Sequence, residues 1–144
     1  MILYIWDEPC EELTTMKNLR TIFKWVKENT PELTTFMTNE PNAFLLPYID
    51  IWCPPLGAFS THQVFIENRR MQKEKIYSYS SFQYYLDQPL LNTRIIFWFL
   101  YKYKIEGFLL WCINYWPENP WEIVINNGDG YFLYPDLKGG KPFN

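Results

Sequence analysis

Five short apolar runs, each closed by turn signals and separated by helical or polar stretches, constrain this chain more than any other feature. Ile2 to Trp6 is too short for a helix and apolar or aromatic throughout, the pattern of a strand buried on both faces, and Asp7-Glu8-Pro9 closes it. From about Glu11 to Glu28, Leu13, Met16, Leu19, Phe23 and Val26 recur at helical spacing while Lys17, Lys24 and Lys27 fall elsewhere. An amphipathic helix over 11–28 is predicted, ending before Pro31. Residues 33–37 read as a second strand and 48–53 as a third, the latter closed by Pro54-Pro55 and Gly57. A helix over 59–74 and a short strand over 76–80 come next. Ser80 to Leu91 reads as loop, Asn92 or Thr93 as the cap of a helix over 93–104, and 107–113 as the fifth strand.

Strands alternating with helices at this spacing predict right-handed βαβ units and a parallel sheet. Such a sheet is either doubly wound or part of a barrel. No GxGxxG or GxxxxGK[ST] follows any strand, which removes the main support for a nucleotide-binding sheet. At 144 residues the chain is one domain's length, below the roughly 200 to 250 residues of a complete eightfold β/α barrel. The expected fold is therefore α/β: a partial (β/α)8 TIM-type barrel over 1–144, with about five parallel strands and helices outside.

Composition excludes several functions. With 13 Lys+Arg against 16 Asp+Glu the formal charge is −3, so no basic footprint for nucleic acid exists. A 48% apolar and 20% aromatic content is too hydrophobic for a disordered segment. The longest apolar runs, 95–101 and 108–113, fall short of the ~18 residues that cross a bilayer, so no membrane segment is expected. The N-terminus has no basic region or small-residue cleavage site and does not read as a secretory signal. Cys10, Cys53 and Cys112 are odd in number and far apart, and are expected to pack in the core rather than pair or bind metal. His62 is expected at the surface and Asp129 in a turn between its glycines.

In a β/α barrel, reactive residues sit at the C-terminal ends of strands. Those positions hold Asp7-Glu8 after the first strand, Asp50 and Trp52 in the third, Tyr77 and Tyr79 on the fourth, and Trp111, Asn114 and Trp116 on or after the fifth. Neighbours on a regular strand face opposite ways, but a chain already turning toward Pro9 lets both carboxylates reach the barrel mouth. Two close carboxylates do not ionise independently, which suits a general acid beside an ionised partner. Aromatic side chains around such a pair suggest a sugar ring as substrate. The competing reading is that Asp7 and Glu8 open a helix, where acids favour the positive end of the dipole. The tryptophans and tyrosines equally suit a packed core.

Several motifs occur in order: Tyr4-Ile5-Trp6-Asp7-Glu8-Pro9, Asp50-Ile51-Trp52-Cys53-Pro54, the run from Arg94 into Ile105-Glu106-Gly107-Phe108-Leu109-Leu110-Trp111, Asn114-Tyr115-Trp116, and Gly128-Asp129-Gly130-Tyr131-Phe132-Leu133-Tyr134-Pro135. Together they resemble glycoside hydrolase family 123 and related barrel proteins, over nearly the whole chain. The resemblance implies a retaining β-N-acetylgalactosaminidase with substrate-assisted catalysis. Glu8 would be the general acid/base, and Asp7 would orient the 2-acetamido group whose carbonyl oxygen is the nucleophile. No second carboxylate across the ring is then required, unlike ordinary retaining glycosidases. Trp52, Trp111 and Trp116 would stack on sugar faces, Tyr77 or Tyr79 would donate to the acetamido oxygen, and Asn114 would hold a hydroxyl. Neither a metal nor an organic cofactor is implied.

The chain departs from the family pattern in two ways. Members carry a β-sandwich and earlier barrel strands before Asp-Glu-Pro and continue past the Gly-Asp-Gly motif, so this chain corresponds to the C-terminal portion of the barrel. Ile76-Tyr77-Ser78-Tyr79 stands where a tryptophan-tyrosine pair is usual. A barrel of about five strands leaves apolar edges at 2–6 and 107–113, which are expected to be covered by another protein chain or by further segments. Besides a glycosidase acting as part of a larger enzyme on a glycan, the chain suits a structural subunit of an assembly or a carbohydrate-binding module.

Overall fold

β1 (Ile2–Asp7), β2 (Thr34–Thr38), β3 (Ile51–Trp52), β4 (Lys75–Tyr79) and β5 (Gly107–Leu109) lie side by side in chain order. In this computed structural model residues 1–80, 88–119, 121–123 and 126–133 are described; residues 81–87 of the predicted loop and Tyr134-Pro135 of the C-terminal motif lie outside them. β1 to β4 pair in parallel, and β5 continues the sheet, the Glu106 amide donating to the Ile76 carbonyl at 2.9 Å. The sheet is parallel and open, with β1 and β5 at its edges. Its order never reverses, as it does in a doubly wound sheet.

The described chain divides into two units, one of Met1–Tyr79 with Ile105–Phe108, the other of the described residues within Ser80–Lys104 and Leu109–Asn144. In the first, α1 (Leu13–Asn29) links β1 to β2 and buries the predicted stripe of Met16, Leu19, Phe23 and Val26. Burying such side chains stabilises the fold by about 1.5–3 kcal/mol each. α1 stops where Thr30 turns its amide and hydroxyl onto the Val26 carbonyl, at 2.8 and 2.9 Å, immediately before Pro31. Phe36, Met37, Ile51, Trp52 and Ile76 are buried in the sheet, and Leu45, Ile49, Phe59 and Ile66 are among the other buried side chains of this core.

The helix expected over 59–74 is two pieces, α2 (Ala58–Thr61) and α3 (Gln63–Met71). His62 leaves helical geometry (φ −118°, ψ 26°), and its Nδ1 lies 2.8 Å from the Glu40 carboxylate and 3.0 Å from the Thr61 hydroxyl. Its ring is about half exposed, as expected. At the other end of the sheet Asp50 precedes β3 rather than ending it. Its carboxylate is paired with the Lys27 ammonium and accepts from the Thr35 amide at 2.7 Å and the Thr35 hydroxyl at 3.0 Å.

In the second unit α4 (Leu90–Lys102) starts earlier than expected, with Pro89 rather than Asn92 or Thr93 in the capping position. β5 ends at Leu109 rather than residue 113, because the chain there bonds to a later segment instead of a strand. The Ile113 carbonyl accepts from the Phe132 and Leu133 amides at 3.0 and 2.9 Å, and the Tyr115 amide donates to Gly130 at 3.0 Å. Among the described residues no helix is long and apolar enough to cross a membrane. Of the cysteines only Cys53 is fully buried; Cys10 is exposed and Cys112 intermediate, which corrects the expectation of three core thiols.

Candidate active site

The C-terminal end of β1 carries an irregularity that decides where its carboxylates point. Tyr4 pairs with Phe36 and Asp7 with Thr38, so three steps along β1 match two along β2. Such a bulge inserts one residue and re-aims the side chains beyond it. In a regular strand Asp7 would face away from Tyr4; with the bulge it shares Tyr4's side of the sheet. The Tyr4 phenol donates to Asp7 Oδ1, and the Thr38 hydroxyl donates to the same oxygen at 2.9 Å. Tyr4 Oη and Thr38 Oγ1 are themselves 2.7 Å apart.

Glu8 takes a left-handed backbone (φ 41°), uncommon for a residue with a Cβ. Its amide donates to Thr38 Oγ1 at 3.1 Å, and its Oε1 accepts from the phenol of Tyr79 at the end of β4. Asp7 thus spends Oδ1 on two protein hydroxyls and Glu8 spends Oε1 on one, while Asp7 Oδ2 and Glu8 Oε2 accept nothing from the described residues. Both acids are exposed. Burial, and next the bond to Asp7, raises the pKa of the Tyr4 phenol, while burial and the bond to Glu8 do the same to Tyr79. Both phenols therefore stay protonated donors at neutral pH. Burial also pushes the Cys53 thiol up to about 12, so it stays a neutral thiol beside them.

Beneath the acids, Tyr4, Phe36 and Tyr77 form an aromatic row, with ring centres 5.3 and 6.1 Å apart in edge-to-face contact. Gly107 on β5 makes room for Tyr77: a Cβ there would come within 2.7 Å of the Tyr77 ring. Asp7, Glu8, Tyr77 and Tyr79 therefore share one side of the sheet. Trp52 does not join them. It is fully buried, its indole N–H donates to Glu74 Oε2 at 3.1 Å, and its ring has no open face.

Trp111, Asn114 and Trp116 belong to the second unit. The Trp111 indole donates to Asp129 Oδ1 at 3.1 Å, and its ring meets Tyr115 at 4.9 Å. Asp129 is buried, so it anchors Trp111 as well as sitting in the expected turn. Trp116 donates to the Leu133 carbonyl at 3.0 Å. Asn114 is exposed, with the Cys112 sulfur 3.7 Å from its Oδ1.

Reading the sequence missed Tyr4 and Thr38. Tyr4 stands three residues before Asp7 in the motif already noted, a spacing that signals contact only once the bulge is known. Thr38 lay one residue beyond the predicted end of β2, and a hydroxyl residue at the C-terminal end of a strand was the available signal. No group of three or more His, Cys, Asp or Glu among the described residues is arranged to hold a metal.

An open parallel sheet with adjacent carboxylates at the end of its first strand defines a β/α protein with an acidic site. The sequence matches the family model for the glycoside hydrolase 123 catalytic domain over residues 1–143, and the chain belongs to that family. No curated protein sequence matches it.

Proposed function

We propose that this chain forms the catalytic face of a glycoside hydrolase of the retaining, substrate-assisted type, acting on a 2-acetamido-2-deoxy-β-galactoside. The single observation that carries this reading is the division of each carboxylate into a tethered and a free oxygen. Asp7 Oδ2 accepts the acetamido N–H and turns the acetamido carbonyl toward the anomeric carbon. Glu8 Oε2 carries the proton to the glycosidic oxygen as that bond breaks and the carbonyl oxygen closes on C1. Glu8 then takes a proton from the water that opens the cyclic intermediate. Tyr77 lines the floor of the sugar site, and Tyr79 holds Glu8 in place. This chemistry implies no metal or organic cofactor.

The unreversed strand order supports reading the sheet as an arc of a (β/α)8 barrel, because right-handed crossovers that always advance in one direction keep every helix on one side. The edges at β1 and β5 are then covered by further segments or by another protein chain. The exposure of Ile2 and Trp6 on β1 favours such a partner, and it equally suits a second reading, a non-catalytic structural subunit or carbohydrate-binding module.

The test compares Glu8→Gln and Asp7→Asn on two aryl 2-acetamido-2-deoxy-β-galactosides whose leaving groups differ in pKa. A general acid contributes typically ~10²- to 10⁴-fold. Glu8→Gln is expected to lose turnover in that range on the poor leaving group and far less on the good one, while Asp7→Asn loses turnover on both. Small, equal losses for both variants would exclude the hydrolase reading in favour of the non-catalytic one.

A further inference from the structure

Two adjacent residues can serve one substrate only if something turns them to the same side, since successive side chains on a strand point to opposite faces. Here a bulge turns Asp7 and a left-handed backbone turns Glu8. Both distortions meet at one side chain. Thr38 Oγ1 accepts the Glu8 amide at 3.1 Å and donates to Asp7 Oδ1 at 2.9 Å, while Thr38 is the residue with which Asp7 pairs after the bulge.

Thr38 is 1% exposed, so water has little access to replace its hydroxyl. A buried hydroxyl with one donor and two acceptor sites suits this double task. It takes the amide on one side and gives its proton to the carboxylate on the other. The Tyr4 phenol, 2.7 Å away, closes the same cluster from β1. On the opposite flank Tyr79 holds only Glu8.

We infer that Thr38 is the positioning residue of this site: its hydroxyl locks the Glu8 backbone and the Asp7 carboxylate together, so that the free oxygens of both acids face one sugar. The inference rests on the proposed glycosidase reading for its effect on turnover, but not for its effect on the backbone of Glu8.

Thr38→Val keeps the shape of the side chain and removes the hydroxyl, whereas Thr38→Ser keeps the hydroxyl. Misplacing a reacting group by about 1 Å costs on the order of 10²-fold. With an aryl 2-acetamido-2-deoxy-β-galactoside, Thr38→Val is expected to lower kcat by about that factor with KM little changed, and Thr38→Ser to restore most of it. Amide hydrogen exchange read by NMR on the full chain supplies the second measurement. The Glu8 amide is expected to be protected in the wild type although Glu8 is exposed, to exchange faster in Thr38→Val, and to remain protected in Thr38→Ser and Tyr4→Phe. An unprotected Glu8 amide in the wild type overturns the inference whether or not the valine variant folds. Equal loss of kcat in the valine and serine variants overturns it too, since the hydroxyl is then not the agent. If the chain by itself turns over no substrate, activity of this chain without covering segments is excluded, and the exchange pattern at Glu8 still decides the role of Thr38.

Discussion

The indole N–H of Trp111 donates to the buried carboxylate of Asp129 across 3.1 Å. The bond joins the segment just after β5 to the Gly128-Asp129-Gly130 turn, where Gly130 (φ 81°) lies so close to Tyr115 that a Cβ would come within 2.8 Å of it. Breaking this bond leaves a buried carboxylate without its donor. Trp111→Phe is expected to destabilise the protein by about 1–3 kcal/mol, and Asp129→Ala by about 1 kcal/mol, in urea unfolding. Asp129→Ala should also weaken the near-ultraviolet dichroism of a tryptophan held in one orientation. An unchanged spectrum and midpoint would show that Trp111 is fixed by ring contacts alone.

Gly107 and Tyr77 form a tight contact between β5 and β4. Gly107→Ala is expected to cost about 1–3 kcal/mol, since the methyl meets the ring at a distance no packed core tolerates. The contact predicts a specific coupling. In a Tyr77→Ala background the same substitution should cost little, so the double-mutant cycle should return most of the single-mutant loss as interaction energy. Additive effects would mean that Gly107 is needed for its backbone rather than for the ring.

The Asp50 carboxylate is held against Lys27 and Thr35. Burial opposes its ionisation, but the Lys27 ammonium and the two Thr35 bonds outweigh burial and lower its pKa in the folded protein. A depressed carboxyl stabilises the fold at every pH above its unfolded value of about 3.9, and that contribution disappears as pH falls through the lower folded value. Asp50→Asn should therefore lower the melting temperature at pH 7, and the difference from wild type should shrink as pH falls from about 4 toward 2. A difference that grows on acidification would contradict the assignment.

Cysteine labelling separates the exposed thiol of Cys10 from the buried thiol of Cys53. Cys10 is exposed and should react readily with iodoacetamide under native conditions, whereas Cys53 is fully buried with its thiol pushed up to about 12. Mass spectrometry of native and urea-treated protein reads the difference. Labelling of Cys53 at a rate near that of Cys10 in the native protein would mean that the end of β3 opens frequently.

Local pattern by itself located the five strands, though not the extent of β3, which is Ile51–Trp52 rather than 48–53, or of β5, and it gave the parallel pairing and the apolar stripe of α1. Ile2 to Trp6 has no polar position to expose, and Met16, Leu19, Phe23 and Val26 admit no other period than that of a helix. The ordered motifs likewise carried the family, and with it Asp7 and Glu8 as candidate acids, because side-chain chemistry and spacing are properties of the chain. Tertiary structure decided where those side chains point. One extra residue in the β1–β2 pairing and one left-handed residue at Glu8 set the two carboxylates, and neither exists until β2 is alongside. The same holds for Trp52, whose aromatic ring suggested a sugar platform yet is sealed against Glu74, and for Thr38, whose place near a strand end gives no hint of its partners until its hydroxyl meets two residues about thirty positions earlier. Hydrophobic period is a local quantity; the register between strands and the hydrogen bonds of a side chain depend on partners that only folding supplies.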